Sequence, residues 1–192
     1  MEAFKWGLVF LMVLDHLAWA WGWPSEWRLP GRLVFPGFAA LMAHHLAQGV
    51  PPEKYLKRLL PFALVGQVGY SLLFGSYILW PLNVLFTFLG AALVASGKAY
   101  GWVVSLFSEF PLGASLALTA RGKSLLAAFG LASSAFLMGW SLWVALVQGI
   151  AFLGFLTLIP HLPKGRRTPW WSFYAFYTGH LLGLYLVKAL LR

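Results

Sequence analysis

From Leu59 to Gly97 the chain carries no charged side chain at all. That run is about twice the roughly 20 residues that one helix needs to cross a bilayer. A stretch of this kind folds as two apolar helices lying back to back, and the glycine in Gly75-Ser76 marks the turn. Ser124 to Pro160 repeats the pattern, with a turn around Gly139. Phe4–Trp23 makes a first span and Leu33–Val50 a second. Thr168–Val187 closes the series, opened by Pro169-Trp170-Trp171, whose tryptophans suit a membrane interface. Hydrophobic residues make up 60% of the chain and charged residues 10%, against roughly 45–50% and about 25% in soluble domains. That excess needs lipid to cover it. The expectation is an all-α, polytopic helical membrane protein with seven or eight spans, in one domain over residues 1–192.

The segment Ala99–Ala120 decides between seven and eight. It is long enough to cross, but Glu109-Phe110-Pro111 interrupts it. If it does not cross, one side collects Lys5, Lys54, Lys57, Arg58, Lys98, Arg121, Lys123, Lys164, Arg166 and Arg167. The other side keeps only Arg28, Arg32, Lys188 and Arg192. Basic loops favour the cytoplasmic side, so the asymmetry points to a re-entrant or broken segment near 99–120 and a cytoplasmic N-terminus, in the cell (inner) membrane. The apolar N-terminus lacks the basic start and cleavage site of a signal peptide, and Asp15-His16 in its middle suits a retained span. Small residues in Gly90-Ala91-Ala92 and Gly130–Ser134 suit close helix packing.

The formal charge of +9 fits topology and anionic headgroups. No nucleic-acid signature accompanies it, so the expected partner is the lipid bilayer and no nucleic acid. The absence of cysteine excludes disulfides, thiolate nucleophiles and sulfur-ligated metals. The histidines lack His-Glu-x-x-His spacing, and no metal is expected.

Ionisable groups at membrane depth are costly and functional by default. Asp15 and His16 qualify first, since His16 lies about 18 Å along the helix from Phe4, near the middle of the expected span. Lys5 and His16 are eleven residues apart, close to three turns, and share one helix face, the imidazole roughly 16 Å deeper than the ammonium. Asp15 is rotated by about 100°, so it should pair with another helix, with Arg32 and His180 as candidates. His44-His45 and His180 are further polar groups on apolar helices, and each can equally serve packing or the headgroup region. Lys54, Lys57 and Arg58 form a basic patch on the Lys5 side, serving either topological retention or a phosphate cradle.

Several blocks then resemble one family. Lys5 followed by Met12-Val13-Leu14-Asp15-His16-Leu17 is similar to the opening of the TraX family of bacterial membrane proteins. Gly31-Arg32-Leu33-Val34-Phe35-Pro36-Gly37-Phe38 resembles its Gly-Arg-x-x-Phe-Pro-x-Phe block, and Tyr55-Leu56-Lys57-Arg58-Leu59-Leu60 its Tyr-Leu-x-Arg-Leu block. Asn83-Val84-Leu85-Phe86-Thr87 and Tyr100-Gly101 follow in order, and Phe176-Tyr177-Thr178-Gly179-His180-Leu181 is similar to the closing Phe-Tyr-Pro-x-His-Leu. Two departures stand out. Thr178 replaces the usual proline, and His44-His45 stand where the family more often has a carboxylate before glycine.

The resemblance implies an acetyl-CoA-dependent acyltransferase related to membrane enzymes that acetylate surface polysaccharides. The founding member acetylates the N-terminus of conjugative pilin. A basic residue, ten intervening positions and a histidine, matched here by Lys5 and His16, is shared with those enzymes. On this reading His16 and Asp15 are catalytic, and Lys5, Lys54, Lys57 and Arg58 hold the phosphates of acetyl-CoA. Arg32, His44, His45, Glu109 and His180 lie near the acceptor, which is a protein, glycan or lipid. The competing classes are a small ion-coupled transporter relaying protons through Asp15, His16 and Glu109, and a non-catalytic scaffold. A proton relay needs no basic mouth aligned with His16, and a scaffold tolerates loss of His16.

Overall fold

The computed structural model describes residues 1–76, 80–165 and 168–191. Arg166, Arg167 and Arg192, which entered the charge asymmetry, lie outside them. The described residues form eight α-helices: α1 Glu2–Ala20, α2 Val34–Ala47, α3 Pro52–Phe74, α4 Val84–Ala95, α5 Gly101–Leu106, α6 Ser124–Leu137, α7 Leu142–Leu158 and α8 Ser172–Leu190. Short 3-10 segments cover Ser25–Arg28, Pro30–Leu33, Gly113–Arg121 and Ile159–His161. The fold is all-helical.

Both expected hairpins turn where glycine allows it. Gly75 ends α3 at φ +67°, and Gly139 separates α6 from α7 at φ +80°, a left-handed backbone that residues with a Cβ rarely adopt. α3 begins about two turns before the expected Leu59, because Pro52 presets the helical φ at its first position and Glu53 favours the positive end of the dipole. Lys54, Lys57 and Arg58 are therefore helical. Lys54 and Arg58, four apart, share a face, and Lys57 is turned about 100° from Arg58.

Among the described residues, two helices are long and apolar enough to cross a membrane, Glu2–Ala20 and Leu142–His161; Val84–Ala95 and Ser124–Leu137 are apolar but shorter. The expected second span, Leu33–Val50, is a 14-residue helix of about 21 Å.

The segment at 99–120 does not continue as one helix. After the six-residue α5 the chain breaks, and Gly113–Arg121 packs on α2, α4 and α6, with Ala114 and Ala117 against Val94 and Trp102. The break is held by polar side chains rather than by helix continuity. Ser105 Oγ accepts from the Ala114 N–H (2.9 Å), Ser134 Oγ accepts from the Leu112 N–H (2.7 Å), and Thr87 and Ser108 share a hydroxyl bond of 2.7 Å. Irregular backbone among apolar helices requires such partners. The expected small-residue packing is also present, since a Cβ at Gly90 would meet the Gly101 carbonyl at 2.7 Å.

One polar lock joins α3 to the start of α4. Asn83 is fully buried. Its Nδ2 donates to the Ala63 carbonyl (2.8 Å) and to Gln67 Oε1 (3.0 Å), and its Oδ1 accepts from Leu85 N–H (3.0 Å), capping α4. Gln67 Oε1 also accepts from the Asn83 N–H (2.7 Å), and its Nε2 donates to the Pro81 carbonyl (3.1 Å) and Ser71 Oγ (3.2 Å). Every polar atom of both side chains is used.

Candidate functional site

α1 presents Lys5, Val9, Met12 and His16 as a single stripe at i, i+4, i+7 and i+11, and all four line one cavity of about 460 Å³. The wall is completed by α2, α3, α4, α7, α8, the turn at Gly31 and Arg32, and the broken segment. At the end near Lys5 stand Lys54, Arg58, Trp170 and Thr168; at the other end stand Asp15, His16, Arg32, Glu109 and Trp140. The walls between are apolar, from Phe35, Phe38, Leu41, Met42 and Phe88 among others.

The basic end is braced by neighbours. Lys5 Nζ lies 2.7 Å from Glu2 Oε1 and 5.5 Å from the centre of the Phe173 ring. Arg58 rests over the Trp170 ring at 4.9 Å. Thr168 donates to the other Glu2 oxygen, and the terminal amine of Met1 donates to the Pro163 carbonyl, tying Pro163 and Thr168 to the start of α1. Lys57 is exposed and does not line the cavity, as its rotation from Arg58 requires.

His16 is held by a chain of hydrogen bonds. The His180 Nδ1 lies 3.1 Å from the Phe176 carbonyl, which can only accept, so that nitrogen carries the proton. His180 Nε2 is then the acceptor, and His16 Nδ1, at 2.7 Å, donates to it. The two rings are coplanar within 5° with centroids 4.9 Å apart, the geometry of an in-plane, edge-to-edge bond. His16 Nε2 is left with its lone pair. A neutral histidine whose Nδ1–H is fixed by a second group is arranged as a general base.

Asp15 pairs with neither expected candidate. Arg28 Nε donates to Asp15 Oδ1 at 3.1 Å, from the 3-10 turn that follows α1, and His180 is engaged by His16 instead. The sequence spacing did predict that Asp15 and His16 face different partners. In the sequence Arg28 is only a loop charge, and its 13-residue separation from Asp15 has no helical periodicity to reveal the pair. The turns at 25–33 close over this end so tightly that a Cβ at Gly31 would overlap the Asp15 side chain. α1 ends at Ala20, so His16 stands about 6 Å from the end of its helix, rather than in the middle of a Phe4–Trp23 span.

Arg32 stacks on Trp140 at 4.1 Å. Glu109 reaches the cavity because its N–H donates to the Leu82 carbonyl (2.7 Å) while Leu82 N–H donates to the Phe107 carbonyl (2.8 Å), a short bridge that fixes the break. Phe110 stacks on Phe35 at 3.6 Å. His45 lines the cavity with its Nδ1 2.9 Å from the Tyr55 hydroxyl, whereas His44 does not line it. Among the described residues no three His, Asp or Glu side chains gather as a metal site. Gln148 of α7, unmarked by any sequence pattern, also lines the cavity.

Arranged this way, one cavity joins the cations Lys5, Lys54 and Arg58 to the His16 imidazole, about 16 Å from Lys5 along one helix. Its shape admits an elongated ligand with an anionic end among the three cations. The family model described as TraX protein matches residues 1–188. No curated protein and no solved structure matches the chain.

Proposed function

We propose that this chain, which belongs to the TraX family, is a membrane-embedded acyltransferase that moves an acetyl group from acetyl-CoA to an amine or hydroxyl acceptor. The observation that carries this reading is the single cavity running from Lys5, Lys54 and Arg58 to His16. The family's association with pilin acetylation supports the same chemistry.

Lys54 and Arg58 bind the phosphates of the donor at the open end, where Arg58 is pre-set by Trp170. Lys5 adds charge there, partly balanced by Glu2. The extended pantetheine arm lies between the apolar walls and carries the thioester to His16. His16 Nε2 takes the proton from the acceptor as its nitrogen or oxygen attacks the thioester carbonyl. As the tetrahedral intermediate collapses, the C–S bond breaks and the proton returns through His16 to the departing thiolate. The acceptor leaves acetylated and CoA leaves as the thiol. His180 is a positioning residue, since it fixes which nitrogen of His16 is the base. Asp15 acts through Arg28, holding the 25–33 turns over the reacting end. Arg32 and Glu109 stand beside that end and bear on the acceptor.

Lipid cover supports a multi-pass arrangement. α6 and α7 turn Leu125 (75% exposed), Phe129 (71%) and Trp143 (72%) outward, large apolar side chains without protein cover, as a membrane contact would leave them. The basic opening faces the cytoplasm in this reading, where acetyl-CoA is available, with pilin, glycan or lipid as the acceptor.

The test uses the chain's lack of cysteine: every thiol that appears is CoA's. Purified protein is mixed with acetyl-CoA and thiol-blocked envelope vesicles as the acceptor source, and free thiol is measured. The parent should release CoA, and His16→Ala should release it about 10²–10⁴-fold more slowly. Equal rates in the two proteins would exclude His16 as the base. A proton-coupled transporter predicts no release from either.

A further inference from the structure

Gln148 sits in the second turn of α7 with no exposed surface, and neither its Oε1 nor its Nε2 has a hydrogen-bond partner. A buried polar group without a partner is expensive. Gln67, the other glutamine buried among the helices, has every polar atom satisfied. The difference is where the two side chains stand, because Gln148 borders the cavity.

Its level in the cavity follows from α7. Trp140, just before the helix begins, stacks on Arg32 at the His16 end, and the chain beyond His161 reaches Pro163, which meets Met1 at the Lys5 end. Gln148 lies about 9 Å from the start of this helix, between the cationic opening and the reacting end. A carboxamide offers a donor and an acceptor side by side. A phosphate would satisfy only its Nε2, and an ammonium only its Oε1. A neutral amide satisfies both.

We propose that Gln148 is a ligand-binding residue whose carboxamide, covered in the wall of the cavity, turns into it when the donor binds and pairs with an amide of the pantetheine arm, Oε1 accepting from the amide N–H and Nε2 donating to the amide carbonyl. This rests on the acyl-CoA reading of the same cavity. It makes Gln148 the residue that selects a donor with an amide-bearing arm over a bare nucleotide.

The experiment is calorimetric binding to the full-length protein in detergent, with two probes: acetyl-CoA, and adenosine 3′,5′-bisphosphate, which keeps phosphates but has no arm. Gln148→Met, which keeps the volume and removes the amide, should fold with an unchanged or higher thermal midpoint. It should bind acetyl-CoA at least about 10-fold more weakly and the bisphosphate as the parent does. Gln148→Asn, which withdraws the amide by one methylene, should show the same one-sided loss. Unchanged acetyl-CoA affinity in both variants would overturn the role of Gln148 and leave the donor reading standing. Equal weakening of both probes would also overturn it, since that reports a general disturbance. A folded parent that does not bind acetyl-CoA removes the donor reading, and the role of Gln148 with it.

Discussion

The α3–α4 junction and the cavity beside it both bury polar side chains among apolar helices, but they use them in opposite ways. At the junction, Gln67 and Asn83 saturate each other and the surrounding backbone. In the cavity, Gln148 has no partner, and His16 is bonded at one nitrogen with the other left free. A fully satisfied network rigidifies a fold. A partly satisfied one is tolerable only where a ligand or water completes it. The two regions touch, since Tyr70 and Leu85 belong to the lock's helices and line the cavity. The rigid junction is thus a wall for the reactive one.

Substitutions should separate the two regions cleanly. The largest effect is expected from His16→Ala, which should reduce acetyl transfer by about 10²–10⁴-fold while the thermal midpoint stays near the parent's. Asn83→Ala should do the reverse. Loss of the α4 cap and two buried bonds should cost about 2–4 kcal/mol, read as a lower midpoint in detergent, with the rate per folded molecule kept. If Asn83→Ala left stability unchanged, the junction would not be a lock.

His180→Phe probes the link between structure and chemistry. It should lower transfer about 10-fold through loss of the fixed tautomer. Nitrogen NMR of labelled histidine should show His16 protonated at Nδ1 in the parent and mixed between nitrogens in the variant. A mere packing role for His180 would leave that signature unmoved. The smallest effect belongs to Asp15→Asn, because the amide keeps an oxygen that can accept from Arg28 Nε and only the charge of a partly covered pair (side chains 14% and 27% exposed) is lost. Its stability should barely change. A loss of transfer as large as that of His16→Ala would move Asp15 from positioning into the chemistry.

Much of this was legible in the sequence because helices are periodic. The i, i+11 spacing of Lys5 and His16 fixed a shared face, and charge-free runs with a glycine inside gave two hairpins. The interruption at Glu109-Phe110-Pro111 foretold the broken segment. What escaped has no period. Arg28 reaches Asp15 from an irregular turn, Gln148 meets the cavity through the packing of α7, and the His16–His180 bond spans 164 residues. Helix lengths also escaped: charge-free stretches overstate helices, since a turn such as 138–141 carries no charge to mark where α6 ends and α7 begins.

The account's central claim is that one cavity carries the donor from a cationic opening to His16, and binding of acetyl-CoA to the purified parent tests it most directly. Calorimetry should show binding that weakens about 10-fold or more when Lys54 and Arg58 are both changed to Ala and is largely kept in His16→Ala. No binding by the folded parent, or binding indifferent to Lys54 and Arg58, would contradict it.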